Sequence, residues 1–308
     1  MLTEELTIII PFLNEKFFVE HTLISIRENE GRDIPIILIN DCSDDGLNYD
    51  FLAKKYNCKY VKNTERIGVA ASRDKGVSMV ETPYVLIIDA HMRFYKNNWK
   101  NIIIGNLKNN DRAIYCAVSK GINEDWETNS MVGYCAYFSN DKKTYGSTLE
   151  PKWIKNNKIS LDSNQQVPCV LGATYAFSKK YWQLLNGLDG LEEYACDELF
   201  MSLKTFLEGG KCILMNNVEI GHLYRQKHPY SVLGLNYSYN KTFIIKTVIP
   251  IGLQKEYLSF LNGSSYKRDI MDKLKINKKK IQQDRNYYKS IFTVPFEEFI
   301  EFNKKFEN

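Results

Sequence analysis

Asp89-Ala90-His91 closes the apolar run from Tyr84 to Asp89, where a buried strand runs out into a loop. Side chains two apart on a strand point to the same face. A carboxylate oxygen and an imidazole nitrogen are then neighbouring ligands for one divalent metal. That pair suits manganese or another first-row ion better than calcium, with magnesium as the alternative to manganese. A metal at the carboxyl end of a strand in an open α/β sheet lies where such folds bind nucleotides. The triplet therefore points to a metal-held nucleotide diphosphate and to a transfer reaction. An isolated D-x-H is as readily a turn-capping Asp beside a locally bonded His, so the surrounding elements decide.

Those elements alternate. Leu6 to Ile10 and Ile34 to Ile39 read as buried strands, Cys58 to Val61 as a short one, and Tyr84 to Asp89 as a fourth. Residues 16 to 29, 50 to 56 and 68 to 80 read as the helices between them. Apolar strands separated by helices predict a parallel sheet covered on both faces. A helix near 97 to 108 and a strand from Ala113 to Val118 extend it. Residues 119 to 165 have poor periodicity and predict irregular hairpins and a mobile loop. Val167 to Phe177 reads as a strand passing close to something at Gly172-Ala173. A helix over Asp197 to Glu208 ends at Gly209-Gly210, a strand follows at Lys211 to Leu214, and Ile220 to Arg225 leads into a loop with His228-Pro229-Tyr230. From 236 to 308 the pattern is Lys-rich and helical, broken by Pro250 and Asn262-Gly263.

Composition narrows the class. The hydrophobic fraction of 44 % and charged fraction of 25 % are those of a folded soluble protein. No uncharged apolar stretch reaches the ~18 residues of a membrane span, and the acidic N-terminus is unlike a signal peptide. Seven scattered Cys without a C-x-x-C pair read as reduced thiols of a cytoplasmic protein. The net charge of +4 carries no basic–aromatic repeat of a nucleic-acid reader. The C-terminal basic clusters, Lys267-Arg268 and Lys278 to Lys280, read as a solvated helix face, or as a patch for an anionic membrane surface or acidic partner.

With these pieces in order the chain resembles the GT-A-fold glycosyltransferases of the broad family 2 type. The residues that carry this are Ile10-Pro11-Phe12-Leu13-Asn14-Glu15, the acidic turn Asn40-Asp41-Cys42-Ser43, and Gly68 to Arg73. The closer similarity is to polypeptide N-acetylgalactosaminyltransferases. It rests on D-x-H at 89 to 91, on VLGATYAFSKKYW (170 to 182), on CDELFMSLK (196 to 204) and on IGHLYRQKHPY (220 to 230). The likeness spans roughly residues 6 to 235. It implies a Rossmann-like GT-A catalytic domain at 1–235, mostly parallel with helices on both faces, and a C-terminal helical extension at 236–308. Met92-Arg93, Ala173, Tyr194 and Ala195-Cys196 depart from the family pattern at positions that shape its sugar pocket. Set against the animal enzymes, the chain is expected to lack their lectin domain and membrane anchor.

The resemblance also assigns roles. Asp89, His91 and His222 would hold the metal. Pro11, Asn14, Glu15, Asp41 and Arg73, with Asp89, would frame the nucleotide, and Arg73 faces either Asp41 or the nucleotide itself. Gly172, Ala173 and Asp197 would lie against the sugar. Asp197 and Glu198 open a helix, where acids also complement the helix dipole; in relatives an acid there is a general base or a sugar or acceptor contact. Arg225 and Tyr230 would sit on a loop that closes over the donor.

The reaction this implies moves a sugar from a nucleotide-diphosphate donor, a UDP-sugar, to a peptide or protein side chain. The alternatives are a glycan or lipid-linked acceptor with peripheral membrane contact, and a non-catalytic nucleotide-sugar binder. A nucleotidyltransferase would want a Gly-rich basic loop where Pro11 to Glu15 stands. The C-terminal helices are expected to bury a homodimer contact or to bind acceptor.

Overall fold

Fully apolar runs become the centre of one mixed sheet. The computed structural model describes residues 4–30, 33–95, 98–139, 148–160, 162–225 and 227–307. Strands β1 (Leu6–Phe12), β2 (Ile36–Asn40), β3 (Lys59–Lys62) and β4 (Tyr84–Ile88) are parallel, in the order β3-β2-β1-β4. Helices α1 (Phe18–Glu30), α2 (Tyr49–Lys55) and α3 (Val69–Ser78) make the crossovers. After β5 (Met92–Phe94) and α4 (Trp99–Asn109) comes the long strand β6 (Ala113–Ile122). Strand β7 (Thr128–Gly133) folds back on β6, and β8 (Ala136–Phe138) pairs with β9 (Pro151–Trp153) in a separate hairpin. The remainder of the sheet is β10 (Gln165–Gln166), β11 (Thr174–Ser178) and β12 (Lys211–Leu223). Helices α5 (Lys179–Leu184) and α6 (Asp197–Glu208) separate β11 from β12. Strand β11 runs antiparallel between β4 and β6, and β12 runs parallel to β6.

Alternation along β1 sends Ile9 to one face and Leu6, Ile8 and Ile10 to the other, all with no exposed surface. Burying each such side chain contributes roughly 1.5–3 kcal/mol. Helices α1, α2 and α4 cover the second face, through Leu23, Leu52 and Ile103 among others. The first face is covered by α3, α6 and the C-terminal helices α7 (Gly234–Thr247), α8 (Ile251–Tyr257), α9 (Lys267–Ile276), α10 (Lys278–Ile291) and α11 (Phe296–Lys304). Phe243 of α7 and Tyr288 of α10 both meet the edge of Phe200 on α6, at ring distances of 6.0 and 5.9 Å. The C-terminal helices therefore share one core with the sheet. No helix among the described residues is long and apolar enough to cross a membrane.

Three strand readings need correction. The strand expected from Val167 begins only at Thr174, because the turn at Gly172-Ala173 carries the chain past α6 before it joins the sheet. The strand read at Lys211 to Leu214 runs on to Leu223 as β12, with an irregularity between Met215 and Glu219 where Asn216-Asn217 interrupts the apolar run. Met92–Phe94, only three residues long, is a strand that went unread. The irregular stretch 119 to 165 contains β7 to β9; the mobile loop expected there falls partly on 140–147 and 161, outside the described residues.

Candidate active site

Strands β1, β2 and β4 end at the same edge of the sheet, so the loop after Pro11, the turn at Asp41 and Asp89 open into one cleft of about 420 Å³. His222 joins them through pairing: β12 lies antiparallel to β5 with His222 opposite Met92, and the Leu223 amide donates to His91 O at 3.2 Å. The potential ligand atoms of Asp89, His91 and His222 all lie within 4.8 Å of one another. The His rings stack with centroids 5.0 Å apart. His222 Nε2 stands 3.4 Å from Asp89 Oδ2, without the alignment of a hydrogen bond.

The electrostatics suit a cation. Burial lowers the pKa of His222 and favours the neutral ring, and neither of its nitrogens has a hydrogen-bond partner. Buried polar atoms are normally paired. One ring nitrogen of His222, with a carboxylate oxygen of Asp89 and one ring nitrogen of His91, makes a three-atom donor set suited to a first-row divalent ion. Burial works against the charge of Asp89, but His222, Arg73 and His91 outweigh it and hold the carboxyl well below the usual range.

Glu15 stands behind His91. Its Oε2 is 3.2 Å from His91 Nδ1, while Arg225 donates to its two oxygens at 2.9 and 2.5 Å. Burial alone would raise the Glu15 pKa; the contacts to His91 and Arg225 lower it. An ionised carboxylate only accepts, so Nδ1 carries the proton and Nε2 keeps its lone pair for a metal.

On the other flank Arg73, buried on α3, donates to Asp197, to Asp89 Oδ1 at 3.3 Å and to Gly172 O at 3.1 Å. Tyr175 adds a hydrogen bond to the same Asp197 oxygen at 2.7 Å. Arg73 thus joins the metal cluster to α6 and does not pair with Asp41. Asp41 accepts instead from Asn63 and from the amides of Ile67 and Gly68, at 2.8, 2.9 and 2.8 Å. Asn14 clamps its loop to Asp44 through reciprocal 2.9 Å bonds and does not line the cleft. Pro11, Glu15, Asp41, Arg73, Gly172, Ala173, Asp197, Glu198, Arg225 and Tyr230 all line it.

The sugar-side wall is tightly set. The Gly172 amide donates to Glu198 Oε1. A Cβ at 172 would meet that oxygen at 2.9 Å and Tyr175 Oη at 3.1 Å, so any larger residue has to displace Glu198. Burial and the neighbouring Asp197 raise the Glu198 pKa. Glu193, Ala195 and Cys196 have φ of 44°, 77° and 69°, each costing about 1 kcal/mol or more for a residue with a side chain. Gly68 admits this segment: its φ is +87°, and a Cβ there would lie 2.2 Å from Glu193 Cα.

Tyr230 stacks on His228, and both meet Tyr194 edge-on, at 6.2 and 4.9 Å. Arg66 lies 5.3 Å over the Tyr230 ring. Glu150, Trp153, Tyr237 and Lys241 form a further wall. None of these four, nor Arg66 or His228, was picked out in the sequence. Glu150 and Trp153 sit where periodicity is poor, and Lys241 reads as surface helix although its side chain is 1 % exposed.

The comparisons agree with this geometry. The family model for glycosyl transferase family 2 matches residues 7–165. Polypeptide N-acetylgalactosaminyltransferase 4 of Caenorhabditis elegans is 24% identical over 239 residues, 74% of this chain and 40% of that protein. Polypeptide N-acetylgalactosaminyltransferase 14 of Homo sapiens is 23% identical over 234 residues, 73% of this chain and 41% of that protein. The chain thus spans about two fifths of the curated relatives it matches. Among solved structures, GalNAc-T7 with UDP, GalNAc and Mn2+ superposes with a TM-score of 0.74 at 18% identity, over 96% of this chain and 56% of that one. Staphylococcal (S. aureus) TarS 1-349 in complex with UDP-GlcNAc gives 0.53 at 12% identity, over 94% and 90%. The fold is that of the GT-A enzymes, and with the family model matching residues 7–165, just over half of its length, the chain belongs to glycosyl transferase family 2.

Proposed function

We propose that this protein is a metal-dependent glycosyltransferase that moves a sugar from a UDP-sugar to a peptide or protein side chain. The observation that carries the reading is the Asp89–His91–His222 cluster lining the cleft, whose potential ligand atoms all lie within 4.8 Å of one another. The structural likeness to a GalNAc-T7 complex holding UDP, GalNAc and Mn2+ supports the donor and the ion, and the polypeptide-transferase relatives support the acceptor.

Asp89, His91 and His222 are the residues to hold manganese or magnesium, which supplies neutralisation of the charge on the departing diphosphate. Glu15 fixes the ring of His91 for that task. Asp41 shapes the nucleotide side by fixing the Ile67-Gly68 backbone. Asp197, braced by Arg73 and Tyr175 on one oxygen, turns its other oxygen to a sugar or acceptor hydroxyl. Arg225 contributes positive charge beside the diphosphate, and the loop bearing Tyr230 limits water access to the donor.

The test is a panel of uridine and guanosine diphosphate sugars with manganese, read as release of free nucleotide in the presence of hydroxyl-bearing peptides. Release from one UDP-sugar, coupled to a peptide mass increase, is the expected result. Transfer to glycans or lipid-linked sugars but not to peptides overturns the acceptor. Absence of both nucleotide release and metal-dependent donor binding overturns the reading as a whole.

A further inference from the structure

The sugar-side wall contains a segment whose backbone the rest of its own loop does not explain. Glu193, Ala195 and Cys196 all have left-handed φ, a conformation that side chains disfavour. This segment leads directly into Asp197 and Glu198 at the start of α6. It also carries Tyr194, which meets the Tyr230 lid, and Glu193, whose carbonyl accepts from the Val69 amide of α3 at 2.7 Å.

Ion pairs from Lys273 to Glu192 and from Arg66 to Glu193 tie its side chains, and one further side chain binds its backbone at several points. Asn240, on α7 and wholly buried, accepts from the Glu192 amide at 2.7 Å. Its amide group reaches the carbonyls of Glu192, Tyr194 and Ala195 at 2.8, 3.1 and 3.1 Å. Both ends of a single carboxamide are thus engaged with the same strained segment. An Asn interior to a helix favours neither helix nor burial, so its placement is explained by the segment it binds. Cys196 adds a weaker tie, its thiol directed to Tyr237 O on the same helix at 3.7 Å.

We infer that Asn240 is a positioning residue for the transfer reaction: it fixes the 192–196 segment, and through it the Asp197 and Glu198 carboxylates and the Tyr194 contact to the lid. Helix α7, beyond the span that the family model matches, is then part of the sugar half of the cleft. The nucleotide half does not depend on Asn240 in the same way, because Asp41 itself binds the amides of Ile67 and Gly68. This inference rests on the proposed transferase activity for its kinetic readout but not for its structural one.

The test compares Asn240→Ala and Asn240→Ser with the wild-type chain. The expected result is a fall in kcat for sugar transfer of about tenfold or more, with affinity for UDP in manganese changed less than about twofold. Hydrogen exchange should quicken in peptides covering 190–200 and at the Val69 amide, while core strands β1 and β4 keep their protection. Wild-type kcat and wild-type exchange in a folded variant would overturn the inference. So would parallel loss of UDP binding and turnover, which indicates a general collapse of the cleft. If both alanine and serine variants fail to fold, Asn240 is a fold-stability residue and the inference fails. Quickened exchange in the two variants, with no transfer from any donor by the wild-type chain, sinks the transferase reading and leaves the positioning of the segment standing.

Discussion

Glu15 Oε2 stands 3.2 Å from Nδ1 of His91, and Arg225 grips the same carboxylate through both of its oxygens. One buried acid thus orients a metal-ligand candidate on one side and holds Arg225 on the other. The exchange of Glu15→Gln keeps the shape but removes the charge that fixes the His91 tautomer. Manganese affinity should fall by about 10- to 100-fold, measured by calorimetric titration. Unchanged affinity would remove Glu15 from the metal site.

Arg73 neutralises Asp89 and Asp197 together, with its own side chain only 5 % exposed. Arg73→Met leaves two partly buried carboxylates without their cation. We expect a loss of about 3–5 kcal/mol in stability, read from urea unfolding in EDTA. Manganese should recover part of it, because a cation at Asp89 replaces one of the lost partners. A variant as stable as wild type in EDTA contradicts this arrangement.

At Gly172 the constraint is space. Gly172→Ala places a methyl 2.9 Å from Glu198 Oε1 and 3.1 Å from Tyr175 Oη. Overpacking of this kind costs about 1–3 kcal/mol, and the displaced Glu198 and Tyr175 should impair turnover as well. Urea titration together with donor turnover checks both; a variant equal to wild type in each shows that the wall gives way without consequence.

Glu198 sets a pH dependence. Burial and Asp197 raise its pKa above the ordinary glutamate value of 4.5. Between the two values the folded protein keeps a proton that the unfolded chain has released, so this group's contribution to stability declines as pH rises. Glu198→Gln cannot lose that proton. Melting curves from about pH 5 to about pH 8 should show a shallower decline for the variant than for wild type. Parallel curves would mean that Glu198 is not held protonated.

Much of this was legible from the chain and some was not, for physical reasons. The runs LTIII and YVLII announce β1 and β4 because strands buried on both faces need no polar alternation, and Asp89-Ala90-His91 follows from where β4 ends. His222 was reached through flanking residues, yet what places it beside His91 is β5, whose three residues are too few to show a period. Arg73 reads as a nucleotide-side residue, but its bonds to Asp89 and Asp197 were not legible; which partner a buried arginine takes depends on how far α3 is rotated, and residue spacing does not encode that. Asn240 and Lys241 read as an unremarkable polar turn of helix, because the segments that bury them lie about 45 and 90 positions away in the chain.

The central claim is that Asp89, His91 and His222 together bind the ion that holds the donor. Calorimetric titration of UDP into wild type and His222→Ala, each with manganese and with EDTA, tests it most directly. The account predicts manganese-dependent UDP binding in wild type and its loss in a variant whose circular dichroism is unchanged. Equal UDP binding with and without manganese in wild type, or full manganese-dependent binding in His222→Ala, would contradict it.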